Sequence, residues 1–291
     1  MNAPATPVSF DFLREWVGRT EQRRDTVTAA PLSGLSATLD RAGDLEPLSG
    51  SALPPLAHWL YFLPQAPQGE IGIDGHPKRG GFLPPVPLPR RMWAGGRLRI
   101  NHALSVGDEI VRNSTITAVD ATQGRSGALV FVTVQHEISN AHGVAISEEH
   151  DIVYRDNAPP GSMPPASAAA MAPTDEAFNR SVVPDPVLLF RYSALTFNAH
   201  RIHYDRSYAT QVEGYPGLIV HGPLIATLLV DLVRREVPGA HIRGFSFKAA
   251  SPLFDIHPFT VCGKREADGS VALWARNHQG HLAMQARAEL A

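Results

Sequence analysis

The sequence predicts an α+β chain in which antiparallel strands wrap around buried helices, with the plan laid out twice in succession. Three observations carry this reading. Alternating, β-branched strand patterns follow Arg97 and recur after Arg243. The segment Pro223 to Arg235 is apolar nearly all round at helical spacing. A charge-free stretch rich in Pro, Ala and Ser, Asn157 to Pro173, lies between the two series.

The strands come first. Ala128 to His136 (ALVFVTVQH) and Ser270 to Arg276 (SVALWAR) are β-branched or aromatic and each follows a Gly-containing turn. Asn140 to Gly143 and Asn277 to Gly280 occupy matching hairpin positions, followed by terminal strands Val144 to Tyr154 and His281 to Leu290. The parallel suggests duplication of one supersecondary unit. Each series is preceded by an apolar segment. Pro223 to Arg235 reads as a helix buried on every side, with Gly239 as its stop. Pro54 to Leu63 (PPLAHWLYFL) reads as its first-half analogue, its prolines suited to a helix start. Val187 to Arg191 reads as strand-like.

The Pro-rich stretch suits neither helix nor strand and reads as a linker. A chain of 291 residues, at roughly 150 residues per domain, makes about two domains. The division expected is residues 1–156, a linker over 157–173, and residues 174–291.

Composition narrows the function classes. A formal charge of -2 gives no footprint for nucleic acid. No secretory signal is read in the first residues, and no apolar run reaches the roughly 18 residues of a membrane span. The single cysteine, Cys262, supports neither a disulfide framework nor a Cys-rich metal site, and it fits a reducing, cytoplasmic setting. The 13 histidines raise the question of a metal. No HExxH pattern is present and no acidic residue completes a recognisable set beside His200, His203 and His221, so no metal is expected.

The densest chemical signal is Tyr192 to Asp205, YSALTFNAHRIHYD. Polar groups this concentrated are costly to bury unless they pair or bind something. Placed between Val187–Arg191 and the apolar helix, they form an irregular overhang beside the core. Next comes Tyr215 to Leu224, YPGLIVHGPL, which sets Gly222 at the helix entrance. Free N–H groups and the positive dipole end there can polarise a carbonyl, and glycine allows close approach.

Both elements resemble the MaoC-like, R-specific enoyl-CoA hydratases. That family's motif ends in Ile-His-x-Asp, which falls on Ile202, His203, Tyr204 and Asp205. Its His-Gly before the central helix matches His221 and Gly222. The sequence departs where the family's catalytic Asp falls on Asn198, its Asn on His200 and its Pro on Arg201. An amide takes up no proton near neutral pH, so acid–base work passes to histidine. His203 is the first choice and His200 the second, with Asn198 orienting water or the substrate carbonyl. The altered string TFNAHRIHYD, together with Gly75 to Gly96 (GHPKRGGFLPPVPLPRRMWAGG), resembles a narrower branch. That branch holds the mitochondrial-type 3-hydroxyacyl-thioester dehydratases and the bacterial mesaconyl-C4-CoA (3-methylfumaryl-CoA) and itaconyl-CoA hydratases. The resemblance runs from Phe12 to the end.

It implies a double hot-dog fold, with two antiparallel sheets each wrapped around a central helix. The implied activity is reversible hydration of a small branched or dicarboxylic 2-enoyl-CoA. The second half would keep the catalytic residues, and the first half would accommodate the acyl group. Coenzyme A would arrive as part of the substrate, with no further cofactor. Arg90 or Arg91 would meet an acyl carboxylate or CoA phosphate, an ion pair within the protein being the ordinary alternative. Arg201, His221 and Tyr204 are further substrate-binding candidates. Dehydration of longer acyl chains on a carrier protein, or acyl-CoA binding without turnover, are the rival readings. The resemblance leaves a homodimer open.

Overall fold

A computed structural model describes residues 10–124, 127–156 and 170–291. Most of the expected linker, 157–169, therefore lies outside the described residues. The last part of that stretch is tied down: Ala172 N donates to Gly280 O and Met171 bridges to His281.

Ten strands form one continuous antiparallel sheet. They are β1 (Thr20–Thr26), β2 (Arg90–Ile100), β3 (Glu109–Gly124), β4 (Gly127–Asn140), β5 (Gly143–Arg155), β6 (Phe178–Val182), β7 (Ile242–Ala249), β8 (Phe259–Arg265), β9 (Val271–Arg276) and β10 (Leu282–Leu290). Their spatial order is β1-β3-β4-β5-β2-β7-β10-β9-β8-β6. The two series of strands thus join edge to edge through β2 and β7. Two glycines permit this seam. A Cβ on Gly95 would stand 2.7 Å from Phe247 O, and one on Gly96 would stand 2.8 Å from Glu149 O.

The period-two pattern of β4 is plain in its burial. Val130, Val132, Val134, His136 and Ile138 are buried, whereas Phe131 between them is exposed. The tight turn between β4 and β5 pairs Asn140 with Gly143, which takes a φ of +105°. On the concave side lies α3 (Gly222–Glu236), packed against β6, β8, β9 and β10 with every residue from Leu224 to Val233 buried. That is the all-round apolar helix expected from sequence.

Two expectations fail. Val187–Arg191 is not strand but part of α2 (Pro186–Leu195). The deciding signal is local: Asp185 accepts a hydrogen bond from Leu188 N at 2.8 Å and Pro186 opens the first turn. Pro54–Leu63 is not an α-helix either. It holds one 3-10 turn, Ala57–Leu60, flanked by Leu56 and Phe62 at positive φ. The bend turns His58 and Trp59 onto the buried Glu148 of β5, at 2.9 and 2.8 Å. A helix that no pattern signalled, α1 (Ala29–Thr38), packs against α2 instead.

Asp231 fastens α3 to its surroundings. Its carboxylate is buried and meets Arg41 at 3.0 Å, Arg180 at 3.2 Å and Arg235 at 2.7 Å. Removing it takes away the buried carboxylate that three guanidinium groups share, leaving Arg41 to Asp44 and Arg180 to the more distant Asp40. Asp231→Ala is expected to lower unfolding free energy by about 3 kcal/mol, read as a shift in the urea midpoint; an unchanged midpoint would contradict the arrangement.

Candidate active site

The overhang is built by α2 and the chain that leaves it. After Leu195 the chain turns through Phe197, at a φ of +47°, and Asn198 N donates to Ser193 O at 2.8 Å. The Asn198 side chain then accepts from His200 N at 3.0 Å. A 3-10 turn, Arg201–His203, follows. The effect is to send His200 and His203 inward.

His203 lies on the ring of His221, centroids 3.7 Å apart and planes 18° apart. His221 is the N-cap residue of α3, so Gly222 and its amide begin one residue beyond the stack. His203 Nδ1 sits 2.8 Å from Ile219 O. A carbonyl only accepts, so Nδ1 carries the proton and Nε2 keeps its lone pair. Burial drives the His203 imidazole down to about 4, outweighing the opposing bond to Ile219, with the neighbouring His76 adding to the depression. It is neutral at physiological pH. His221 is also driven well below its ordinary value, by burial first and then by His203 and His200. Its Nε2 meets Ser193 Oγ at 2.8 Å, while its buried Nδ1 has no partner among the described residues.

The row of imidazoles extends to the first half of the chain. His200 stands across from His203 at 5.5 Å, nearly perpendicular, and packs on His76 at 4.0 Å. Burial pushes His200 down to about 2, helped by His76 and His203. His76 belongs to a loop, Gly72–His76, docked directly onto the overhang. Arg201 N donates to Asp74 O at 2.9 Å and Arg201 Nη1 to Ile73 O at 3.0 Å. Only glycine fits at position 75: its φ is +91°, and a Cβ would stand 1.8 Å from Ala199 O. Asp74 accepts from both His76 N and His76 Nδ1, each at 3.0 Å.

The remaining candidates fall into two groups. Arg201 binds Asp205 at 2.7 Å and lies over the Tyr208 ring at 4.2 Å, and Tyr204 is exposed with its hydroxyl on Ala199 O. Arg90 meets Glu213 at 3.4 Å and Tyr215 Oη at 3.2 Å. These two arginines face carboxylates of the chain itself. Arg91 differs. Its cross-strand neighbour is Tyr154, and its positive charge acts on His76 and on His200. Among the described residues no carboxylate pairs with it. The structure therefore gathers His203, His200, His221, Gly222, Asn198 and Arg91, and sets Arg90, Arg201 and Tyr204 in the protein's own contacts.

Sequence reading missed Asp74, His76, Ser193 and the Ile219 carbonyl. Asp74 stood one step before a recognised string and His76 was its second residue, neither singled out there. Asp-x-His is the spacing at which a carboxylate turns back on the amide and ring two residues on. Asp74, His76 and His200 each offer one ligand atom within 4.8 Å of the others, enough to consider a metal. Both Asp74 oxygens already accept from His76, and an ion taking Oδ2 and Nδ1 together would have to displace that bond. The donor set fits a hydrogen-bonded Asp–His pair. Two open hollows elsewhere, of about 430 Å³ beside Gly107–Glu109 and about 480 Å³ at Glu15–Arg19, are lined by no histidine of the row.

A neutral imidazole with a fixed lone pair thus stands at the mouth of a buried helix, an arrangement able to move a proton beside a polarised carbonyl. The chain belongs to the hydroxyacyl-thioester dehydratase type 2 family, a family of hydro-lyases, whose model matches residues 56–255. It is 48% identical over 275 residues to a mesaconyl-C(4)-CoA hydratase of Chloroflexus aurantiacus, covering 94% of this chain and 96% of that one. It is 28% identical over 268 residues to the mitochondrial hydroxyacyl-thioester dehydratase type 2 of Schizosaccharomyces pombe, covering 82% and 88%. Solved structures settle the fold as a double hot-dog. A MaoC-like dehydratase from Phytophthora capsici superposes with a TM-score of 0.70 at 15% identity over 98% of this chain and 99% of that one. A Mycobacterium tuberculosis protein described as having a double hot-dog fold gives 0.59 at 12% identity over 98% of each. No helix among the described residues is long and apolar enough to cross a membrane.

The buried imidazoles tie stability to pH. In the unfolded chain they take up protons near pH 6.5, whereas folded His203 does so only near 4 and His200 near 2. Between those values unfolding binds protons, so stability falls as pH falls. The melting temperature is expected to hold above pH 6.5 and to drop steadily from pH 6.5 to 4. A flat profile over that range would contradict neutral, buried histidines.

Proposed function

We propose that this protein reversibly hydrates a 2-enoyl-CoA whose acyl group carries a second carboxylate, with mesaconyl-C4-CoA the first candidate and itaconyl-CoA the second. One observation carries the chemistry: His203 presents a free Nε2, with Nδ1 held by Ile219 O, against the residue that caps α3. Water adds its oxygen to the β-carbon while His203 Nε2 takes one of its protons. The electron pair of the double bond moves toward the thioester carbonyl, and the resulting enolate oxygen is held by the amide of Gly222 and the helix mouth. The α-carbon then recovers a proton from the His203 imidazolium, so the proton taken from water is the one returned. Dehydration is the same path reversed. Proton transfer and fixed dipoles suffice for these steps, and coenzyme A arrives with the substrate.

Arg91 supports the dicarboxylic acyl group. A half-buried guanidinium across the strand from a tyrosine, with no ion pair to a carboxylate of the described residues, suits a carboxylate brought by a ligand. The inner face of the first half also carries a polar strip among its valines. Ser114, His136, Glu148 and His150 cross β3, β4 and β5 in a connected belt, Ser114 to His136 at 2.8 Å and His150 to Glu148 at 2.9 Å. This strip suits a polar acyl group better than an alkyl chain.

Two variants test the reading with a panel of mesaconyl-C4-, itaconyl-, crotonyl- and longer enoyl-CoAs, followed by the mass gain of one water. His203→Ala is expected to lower kcat by about a hundredfold or more. Arg91→Ala is expected to raise KM for the dicarboxylic substrate about tenfold or more, with crotonyl-CoA little changed. Near-normal turnover in His203→Ala would remove the base assignment, and tight CoA-ester binding without turnover by the wild type would replace the enzyme with a binding module.

A further inference from the structure

The catalytic scheme leaves one charge unanswered. When His203 takes a proton it becomes a cation in a buried row of imidazoles, beside His221, His200 and His76 and within reach of the field of Arg91. Such a cation is costly without a negative group close by. Asn198 stands where the motif it matches has a carboxylate, and an amide supplies no charge. The overhang's own acid, Asp205, is taken up by Arg201 and by the amide of Tyr208.

The structure assigns this role to Asp74. We infer that the loop Gly72–His76 of the first half lends the second-half site its carboxylate, with Asp74 acting on His203 through the ring row His76–His200. The inference rests on the hydratase reading above. Three observations support it. Asp74 holds His76 by both the amide and Nδ1, which fixes the ring and leaves Nε2 with its lone pair. His76 packs against His200 with ring centroids 4.0 Å apart and planes tilted by 43°, and Asp74 acts electrostatically on His200 as well. The loop is seated by backbone bonds from Arg201 and by the glycine contact at Ala199 O, so the carboxylate has a fixed position relative to the overhang. Charge in such a place stabilises the transient imidazolium and contributes little to binding the substrate. Asp74 is a positioning residue: its oxygens touch His76, and no reacting atom need meet it.

The test uses the full chain and whichever enoyl-CoA the wild type hydrates best. Asp74→Asn keeps size and one acceptor while removing the charge. It is expected to lower kcat about thirtyfold or more, with KM within about threefold and the melting temperature nearly unchanged. The acid limb of the kcat profile should move to lower pH, because the imidazolium has lost its counter-charge. Restoring a carboxylate on the overhang, in Asp74→Asn/Asn198→Asp, is expected to recover about tenfold of the loss. The inference is overturned if Asp74→Asn keeps kcat within threefold, or if its loss is not recovered at all by the second substitution. Loss of wild-type turnover on chelation, restored by zinc, would also overturn it, since Asp74, His76 and His200 would then be ligands. A wild type that hydrates no member of the panel would instead remove the hydratase reading.

Discussion

An imidazole is a usable base only when something decides which nitrogen holds the lone pair, and here that decision falls to the Ile219 carbonyl. The rest of the site follows from that bond. Ile219 lies in the short run before α3, so the bond that sets the tautomer also places His203 over the cap of the helix. The amide of Ile219 donates back to Ile202 O, closing the overhang onto the helix entrance from both sides. Burial then keeps the imidazole neutral across the physiological range. The same burial makes a cation there expensive, so a site that needs a transient imidazolium has to be supplied with negative charge.

That supply explains a feature of the chain's architecture. The two series of strands are joined in one sheet at β2 and β7, and this seam brings the approach to β2 alongside the overhang. The strand itself delivers Arg91 and Trp93, whose backbone oxygen lies near Gly222. The loop ahead of it delivers Asp74 and His76. A half that carries no counterpart of the NAHRIHYD string still contributes to the chemistry through the segment that leads into the seam.

Legibility in the sequence tracked the range of the interaction concerned. Alternation in β4 and the unbroken apolar surface of α3 were readable because each is a property of one short segment meeting one core. The pairing of Asp185 with Pro186 was equally local, yet the run Val187 to Arg191 outweighed it, since β-branched and aromatic residues suit either a strand or a helix with one side buried. Pro54–Leu63 was misread for a different reason: its shape is set by Glu148 on β5, ninety residues away from His58. Within the site, His203 and His200 were legible because they share one string, and Gly222 because it opens the apolar helix. Asp74 was not, because its meaning comes only from docking against Ala199 and Arg201. Arg90 and Arg91 are neighbours in sequence and opposites in structure, since successive residues on a strand face opposite ways.

The first half offers a second buried acid that sharpens the case for the polar acyl group. Burial would raise the Glu148 carboxylate, but the charges and hydrogen bonds of His150 and His58 more than reverse this and keep it ionised. Trp59 completes its shell from above, and Trp93 lies on His150 at 4.0 Å, linking this belt to the mouth of α3. An apolar tunnel would have no use for a buried charge, its partners and the bend at Leu56 that delivers them. A carboxylate-bearing acyl group needs its own charge met and its water shed, and in the role proposed for it Arg91, across from Tyr154 at one edge of this belt, would supply the cation. The strained turn at Leu56 and Phe62 is the structural cost of turning His58 and Trp59 toward Glu148 in place of continuing a helix.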